Sequence, residues 1–585
     1  MISSTTRWIT ALFVLASALL LVRNLALDSP LMAGDEYAYY SAAETFPNPA
    51  SRSSTDQYLP KIYSPVFAGY GRLLFGLSSQ PELLLKVLNT LAFILTTLLY
   101  LALLRAVGGT GAPRLLAALL LVTPISAYTA YFMPESTYGL FFALLAWIVV
   151  IVCPTRLMAA SALAGMVVGT MLLIKPHALA LLAAVALTLL AQSAAPGRLR
   201  LRVTQVVASI GLFFLCSYVT LVGLNGALSG DLRFHPLLFV GPIYRPSLSV
   251  GASPWSWLQD RHELASILGG HLIVLGALLS PAIAAGVVQL RRLYRATDLD
   301  ASSDRRLWML ISFAAMAAVT TVAMTTVFTS VAVRSWEHSH LRLQARYYSF
   351  FLALFFLIFF APLPDAESRN GERRIDWFRA GAIAGSAAAL LLFVVYARRI
   401  IYPFDFPEAF VFSSWRGLPG DVAQQARATL AVMAIAATAV AYGTLAWAGR
   451  RAAVFYPVLL IALFAISNAS VSGWQLKNSR DHAALRADAQ AARQLIPAAA
   501  RDHGVVIGPE WNGPLAYYLF NFQSSPHVLV RDPAATLTAA DVPSGARWVL
   551  MLGRYRSELA IKPAWQTRQI TFLDLSTAIP HDQRK

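Results

Sequence analysis

Charged side chains are scarce in this sequence. Aspartate, glutamate, lysine and arginine make up 13% of its 585 residues, whereas a soluble globular protein usually carries about 25%. Hydrophobic residues account for 57%, and apolar runs long enough to cross about 30 Å of hydrocarbon recur along most of the chain. This composition excludes an ordinary soluble domain and predicts an all-α polytopic membrane domain.

Acidic residues are scarcer than basic ones, at 30 against 47, and the formal net charge is +17. The basic residues lie mainly between the apolar runs and not on a polar domain, which excludes a nucleic-acid-binding surface. Their distribution is typical of the positive-inside effect and of anionic lipid or phosphate ligands.

Cysteine is almost absent, and no internal repeat is visible. Cys153 and Cys216 are the two cysteines, and their spacing predicts neither a disulfide framework nor a zinc site. The absence of a repeat argues against the transporters that are built from inverted repeats.

Apolar periodicity predicts about thirteen membrane spans. The first is interpreted as a retained helix, because its apolar run is longer than a signal-peptide core and no clean cleavage site follows it. The predicted spans are 7–27, 82–104, 113–131, 137–152, 157–173, 178–193, 203–223, 267–290, 307–329, 347–363, 378–396, 425–448 and 452–469.

The short loops rich in arginine all fall on one side, which is therefore predicted to be cytoplasmic together with the N-terminus. The long loops 28–81, 224–266, 330–346 and 397–424 then lie on the outer face. Because the number of predicted spans is odd and the N-terminus is predicted to be cytoplasmic, the tail 471–585 is also placed outside. In this tail, apolar strand patterns alternate with helical ones, so we expect residues 1–470 to form the membrane domain and 471–585 a small α/β domain.

The segment GDEYAYYSAAE, residues 34–44, follows the first span directly. Asp35 and Glu36 diverge on a helix or turn, so one carboxylate can accept a proton from an attacking hydroxyl while the other holds a cation or orients a donor. The alternative is a solvated acidic pair that caps the following helix. The position at a membrane boundary favours a catalytic role.

Two further motifs place cations near the outer face. Lys61 lies in the amphipathic stretch 59–76, and Lys175 and His177 lie in IKPHAL between two apolar runs. An ammonium group at headgroup depth can bind phosphate. Lys175 lies between very apolar runs, where a charge needs a partner, and a lipid phosphate can supply it. The alternatives are ordinary snorkelling of a lysine and a plain interfacial turn with a proline at the helix start.

A second acidic motif, MPEST, lies at residues 133–137. Glu135 is predicted at the outer end of a span, where an acid is costly unless it is paired or hydrated. The competing interpretation is an N-cap acid that starts the next helix, which Pro134–Glu135–Ser136 also fits.

The loop 333–351 carries basic residues on the side that the positive-inside effect disfavours. Arg346 and Tyr347 begin the next helix, and a guanidinium group binds phosphate in bidentate fashion. Glu337, His340 and Arg342 are secondary candidates. The alternative is salt bridging within the outer loops, and the histidines alone are weak evidence for a metal.

In this order the motifs resemble those of GT-C glycosyltransferases that use polyprenyl-phosphate sugars, in particular the lipid A aminoarabinose transferases and, more distantly, the protein O-mannosyltransferases. GDEYAYY is similar to the first-loop acidic motif, MPEST to a short acidic motif, and IKPHAL and ARYY to Lys-Gly/Pro and Arg-Tyr motifs. LPKIYSPVFAGYG is similar to a Lys-Pro-Pro-Leu stretch, although Ile62 and Tyr63 follow Lys61 before Pro65. The arginine often found a turn after the first acid is absent, since Ala38 and Tyr39 stand there.

The resemblance implies an inverting sugar transferase of the bacterial cell membrane. A polyprenyl-phosphate sugar would be the donor, and a lipid, glycan or protein hydroxyl the acceptor. Asp35 would be the base, and Lys61, Lys175 and Arg346 would bind the donor phosphate. Relatives differ in whether Glu36 or Glu135 holds a divalent cation, so the metal requirement stays open. The alternatives from other classes are a lipid or polysaccharide flippase and a non-catalytic assembly or receptor protein.

Overall fold

A computed structural model describes most of the membrane part of the chain and most of the tail. All statements below concern the described residues, which are 4–31, 33–47, 64–108, 113–195, 202–230, 261–295, 302–332, 347, 349–361, 455–501, 503–509, 515–522, 527–559 and 561–575.

The described part of residues 1–481 is helical. Its α-helices are α1 Ser4–Leu25, α2 Ala33–Glu44, α3 Pro65–Leu77, α4 Pro81–Ala106, α5 Pro113–Val122, α6 Glu135–Trp147, α7 Leu157–Ile174, α8 Leu179–Ala191, α9 Val203–Ser229, α10 Arg261–Arg295, α11 Ser303–Ala332, α12 Leu352–Phe360 and α13 Phe455–Asp481.

Six helical stretches in this part are long and apolar enough to cross a membrane, and two shorter apolar helices, Phe13–Leu25 and Ser349–Phe360, accompany them. Apart from 113–131, every predicted span coincides with helix within the described residues, and the spans at 378–396 and 425–448 lie outside those residues. The chain is therefore a multi-pass membrane protein, while the total of thirteen spans stays a prediction. The six stretches are Pro81–Ala106, Glu135–Val152, Leu157–Ile174, Pro176–Ala194, Val203–Ser229 and Ser303–Val327.

One predicted span, 113–131, is not a single helix. Helix α5 ends at Val122, Thr123 is extended with φ −60° and ψ 145°, and a 3₁₀ helix covers Pro124–Ala130. Proline disfavours the helical conformation of the residue before it, so Pro124 stops α5. The resulting short turns carry the chain to Glu135 at the start of α6.

The described tail is a small α/β unit, as the sequence predicts. It contains α14 Ala483–Leu495 and α15 Ala516–Phe522, and the strands β1 Gly504–Gly508, β2 His527–Val530, β3 Thr536–Leu537, β4 Trp548–Leu552, β5 Arg556–Ser557, β6 Trp565–Gln566 and β7 Ile570–Asp574. The main sheet has the order β2-β1-β4-β7-β6. Strand β1 is parallel to β2 and β4, and β7 is antiparallel to β4.

No break separates the two parts at the predicted boundary, because α13 runs from Phe455 to Asp481 through residue 470. The hydrophobic core of the tail also continues into one end of the membrane part. One buried cluster joins Tyr40 of α2, Phe67 of α3 and Phe132 to Phe520 of α15. The segment that carries the first acidic motif is therefore packed directly against the α/β unit.

Candidate functional site

Lys175 is placed by the end of α7. The helix stops at Ile174, and Lys175 is extended, with φ −148° and ψ 129°, since Pro176 follows it. Its amide still donates to Met171 O at 2.8 Å. The break points the ammonium group into the protein, where the residue is 6% exposed.

Glu135 receives this ammonium group. It is the first residue of α6, directly after Pro134, and it is 9% exposed. Lys175 Nζ lies 2.5 Å from Glu135 Oε1. A buried charge needs a partner of opposite sign, and these two residues, predicted separately from their cost near the membrane, are partners of each other.

A cavity of about 50 Å³ lies at this ion pair, which is room for a few water molecules. Its polar lining includes Glu135, Lys175, Ser136 and His177. Aromatic side chains form much of the remaining wall, among them Phe93, Tyr100, Tyr128, Tyr138, Tyr347 and Phe350. Aromatic walls with a few convergent polar groups are typical of a small-molecule site.

Tyr347 closes one side of the cavity. Its ring stacks on the His177 ring with centroids 3.8 Å apart and planes 20° apart. Tyr347 is buried, and His177 is half-buried. The predicted residues Glu135, Lys175, His177 and Tyr347 are thus brought together, from three segments that are far apart in the chain.

Three polar atoms of the lining lack a protein partner. Within the described part of the chain, Glu135 Oε2, Ser136 Oγ and Tyr138 OH are buried without a hydrogen bond. A buried polar atom without a partner is costly, so native proteins usually satisfy it with water or a ligand. Ser136 and Tyr138 were not predicted from the sequence; the signal was their place one and three residues after Glu135, in the same first turn of α6.

The first acidic motif lies beside this cavity and does not line it. Glu36 is fully buried, and its carboxylate accepts hydrogen bonds from the amides of Leu31 and, at 2.6 Å, Phe132. Phe132 is three residues before Glu135, so Glu36 joins α2 to the segment that leads to the cavity. Asp35, in the first turn of α2, is half-buried.

The start of α3 lies next to Lys175. Ser64, the residue before α3, donates from Oγ to Ile174 O at 2.5 Å. Lys61 itself lies outside the described residues, as do Glu337, His340, Arg342 and Arg346. Their predicted roles remain predictions.

A metal site is not evident among the described residues, since no three His, Cys, Asp or Glu side chains there lie close enough to hold an ion. In particular, the oxygens of Glu36 accept backbone amides, and one oxygen of Glu135 accepts Lys175. Whether a divalent cation takes part stays open.

No family model matches the chain, and no curated protein matches its sequence. Among solved structures, it is similar to ArnT from Cupriavidus metallidurans bound to undecaprenyl phosphate, with 11% identity, a TM-score of 0.44 and coverage of 97% of this chain and 98% of that one. It is also similar to the Archaeoglobus fulgidus oligosaccharyltransferase tethered with an acceptor peptide containing the NVT sequon. That likeness has 12% identity and a TM-score of 0.42, and covers 93% of this chain and 69% of the other.

Proposed function

We propose that this protein is a membrane glycosyltransferase that moves a sugar from a polyprenyl-phosphate donor to an acceptor hydroxyl on the outer face of the membrane, with inversion. The observation that carries the proposal is the buried Glu135–Lys175 pair in an aromatic-walled cavity. This cavity unites residues from three of the motifs that resemble GT-C glycosyltransferases.

The buried polar atoms of the lining that have no partner among the described residues match the hydroxyl groups of a sugar, and the cavity of about 50 Å³ has to widen to admit one. Glu135 Oε2 can accept a hydroxyl, whereas Ser136 Oγ and Tyr138 OH can both donate and accept. The aromatic walls supply apolar contact to the ring faces of a sugar. The cavity lies where α6 begins and α7 ends, which the predicted topology places at headgroup depth, where a lipid-anchored phosphate arrives.

Lys175 can bind that phosphate while it remains paired with Glu135. An ammonium group has three N–H donors, and one of them is directed at Glu135 Oε1. The two others can bind phosphate oxygens, while Glu135 holds the side chain in place. Charge-assisted hydrogen bonds of this kind are strong when they are shielded from water.

The reaction is a single displacement. The acceptor oxygen forms a bond to the anomeric carbon, its proton passes to Asp35, and the bond from that carbon to the phosphate oxygen breaks. The electron pair leaves on the polyprenyl phosphate, which is a stable anion, so a second carboxylic acid is not required. Lys175, with Lys61 and Arg346 as further predicted ligands, stabilises the charge that develops there.

The test uses the purified protein in lipid nanodiscs. It is incubated with a set of polyprenyl-phosphate sugars and with an extract of acceptors from the outer face of the membrane, and the release of polyprenyl phosphate is measured. We expect release with at least one donor, and stereochemical inversion in the product. No release with any donor, from protein that is folded, would contradict the proposal. Movement of an intact lipid-linked sugar between leaflets without release would support the flippase alternative.

A matched pair of glycines tests the cavity itself. Gly139 lines the cavity, and a Cβ added there meets no atom within 4 Å, so Gly139→Leu can direct a side chain into this space from an open position. Gly223 in α9 is equally open, and Gly223→Leu is the control. We expect Gly139→Leu to abolish release and the control to retain it. Equal release from both variants would show that the donor does not enter this cavity.

A further inference from the structure

The backbone of Leu31 joins the first acidic motif to the C-terminal part of the chain. Its amide donates to the Glu36 carboxylate. Its carbonyl oxygen accepts a hydrogen bond from Asn478 Nδ2 at 2.9 Å and a longer one from Tyr517 OH at 3.4 Å. Leu31 is 1% exposed, so these protein groups satisfy its backbone in place of solvent. Residues more than 440 positions away thus hold the residue that precedes the motif.

Asn478 and Tyr517 are themselves held in place. Asn478 Nδ2 also contacts Tyr517 OH. The His482 ring stacks on the Tyr517 ring with centroids 3.8 Å apart and planes 4° apart, and His482 Nδ1 lies 2.9 Å from Asn478 O. Burial raises the pKa of Tyr517, so its hydroxyl stays protonated and able to donate at any ordinary pH. The two donors therefore form a preorganised clamp, which we name the Leu31 clamp.

A second set of contacts holds the same stretch. Arg486 lies 2.7 Å from Asp28 Oδ2, and Ser479 Oγ accepts the Asp28 amide at 3.2 Å. Further along, the Tyr40 ring of α2 packs on the Phe520 ring of α15, with centroids 4.4 Å apart. The stretch from Asp28 to the second turn of α2 is thus fixed at both ends by the C-terminal part, with Asp35 between the two attachments.

We propose that Asn478 and Tyr517 are positioning residues for the transfer: through the Leu31 peptide and Glu36, they set the place of Asp35 relative to the cavity. This inference rests on the proposed function. It gives the C-terminal α/β unit a part in catalysis without any contact with the substrate. The reason is geometric, since a shift of about 1 Å in a reacting group can cost about a hundredfold in rate.

The first test removes one hydroxyl. Tyr517→Phe keeps the ring and its stack on His482 but loses the donor to Leu31 O. We expect kcat to fall about three- to tenfold, the range of one ordinary hydrogen bond, while the donor KM is unchanged because the phosphate ligands are untouched. The matched control is Tyr518→Phe, in the same helix, since Tyr518 is buried and its hydroxyl has no hydrogen-bond partner among the described residues. It should keep the parent kcat.

A double-mutant cycle identifies the route. If the clamp acts through Leu31 and Glu36, the losses in kcat caused by Tyr517→Phe and Glu36→Gln should combine to less than their product, as expected for residues in one network. Losses that simply multiply would contradict this route. If Tyr517→Phe instead raised the donor KM and left kcat unchanged, the positioning role would be overturned.

Amide hydrogen exchange reports how firmly residues 26–36 are held, and it requires neither a sugar donor nor a reaction. Peptides covering residues 26–36 should exchange faster in Tyr517→Phe than in the parent or in Tyr518→Phe. Unchanged exchange would overturn the inference even if the parent is an active transferase. Faster exchange in Tyr517→Phe, combined with a parent protein that transfers from no polyprenyl-phosphate sugar, would overturn the proposed function alone, so the two failures are distinguishable.

Discussion

Lys175 Nζ and Glu135 Oε1 are 2.5 Å apart, with their side chains 8% and 7% exposed. The two residues are 40 positions apart in the chain, at the start of α6 and just past the end of α7, and each on its own would be a costly charge at the end of an apolar segment. In contact, the two charges form a neutral pair, which offsets the free-energy cost of burying each charge alone. It also leaves Glu135 Oε2 available to a ligand.

This pairing predicts a particular pattern of stability. Lys175→Met strands the buried Glu135 carboxylate and should lower the free energy of unfolding by about 3 kcal/mol, and the double change Lys175→Met with Glu135→Gln should recover much of that loss. Arg531→Met is the control, because the side chains of the Arg531–Asp541 pair are 46% and 14% exposed, and loss of this more exposed pair should cost about 1 kcal/mol or less. Thermal unfolding in detergent compares the parent with Lys175→Met, Glu135→Gln, the double variant and the control. Additive losses in the double variant would contradict the pairing.

The two adjacent acids of the first motif should respond differently. Asp35→Asn removes a base and should lower kcat by about a hundredfold to ten-thousandfold with little change in unfolding temperature. Glu36→Gln replaces one of two accepting oxygens with an NH₂ group that faces a backbone N–H, so it should cost about 1–3 kcal/mol of stability. Turnover and thermal unfolding are measured on both variants. Near-normal turnover in Asp35→Asn, with a stable but inactive Glu36→Gln, would show that the roles are reversed.

The close contact of α7 with α9 depends on glycine. A Cβ at Gly169 would lie 2.6 Å from Ser217 O and 3.0 Å from Thr220 Cβ, so Gly169→Ala should destabilise the protein by about 1–3 kcal/mol through overpacking. In Gly211→Ala, on α9, the new methyl group meets no atom within 4 Å, and the better helix propensity of alanine should leave stability equal or slightly higher. Equal unfolding temperatures of the two variants would contradict this packing.

Asp541, in the α/β unit, is a carboxylate whose contribution to folding stability depends on pH. Hydrogen bonds from Arg531, at 2.6 Å, and from the Thr538 amide hold the pKa of Asp541 below its ordinary value of 3.8. Because the folded pKa is lower than the unfolded one, this contribution to stability is complete above pH 3.8 and is lost as the pH falls through the folded pKa. The parent should therefore unfold at a higher temperature than Asp541→Asn near neutral pH, and the difference should shrink in acid. A difference that grows in acid would contradict this assignment.

Much of the fold is local enough to be predicted. The apolar runs, the helix break at Lys175–Pro176 and the alternation of strands in the tail all depend on neighbouring residues, and the described helices and strands agree with them. The division of 113–131 by Pro124 was also readable in principle, because a proline inside a helical pattern restricts the residue before it. The sequence did not predict that α13 continues across residue 470. A helix can continue through a change from apolar to polar composition, so such a change does not mark its end.

The sequence by itself determined that this chain enters a membrane repeatedly and that Glu135 and Lys175 would each need a partner, because the cost of a charge in an apolar setting depends only on that setting. The tertiary structure decided which partners they have. Contacts between Glu135 and Lys175, and between Leu31 and the pair Asn478 and Tyr517, close loops of very different length. Such contacts form only when several helices have packed together, and no local pattern of residues encodes them.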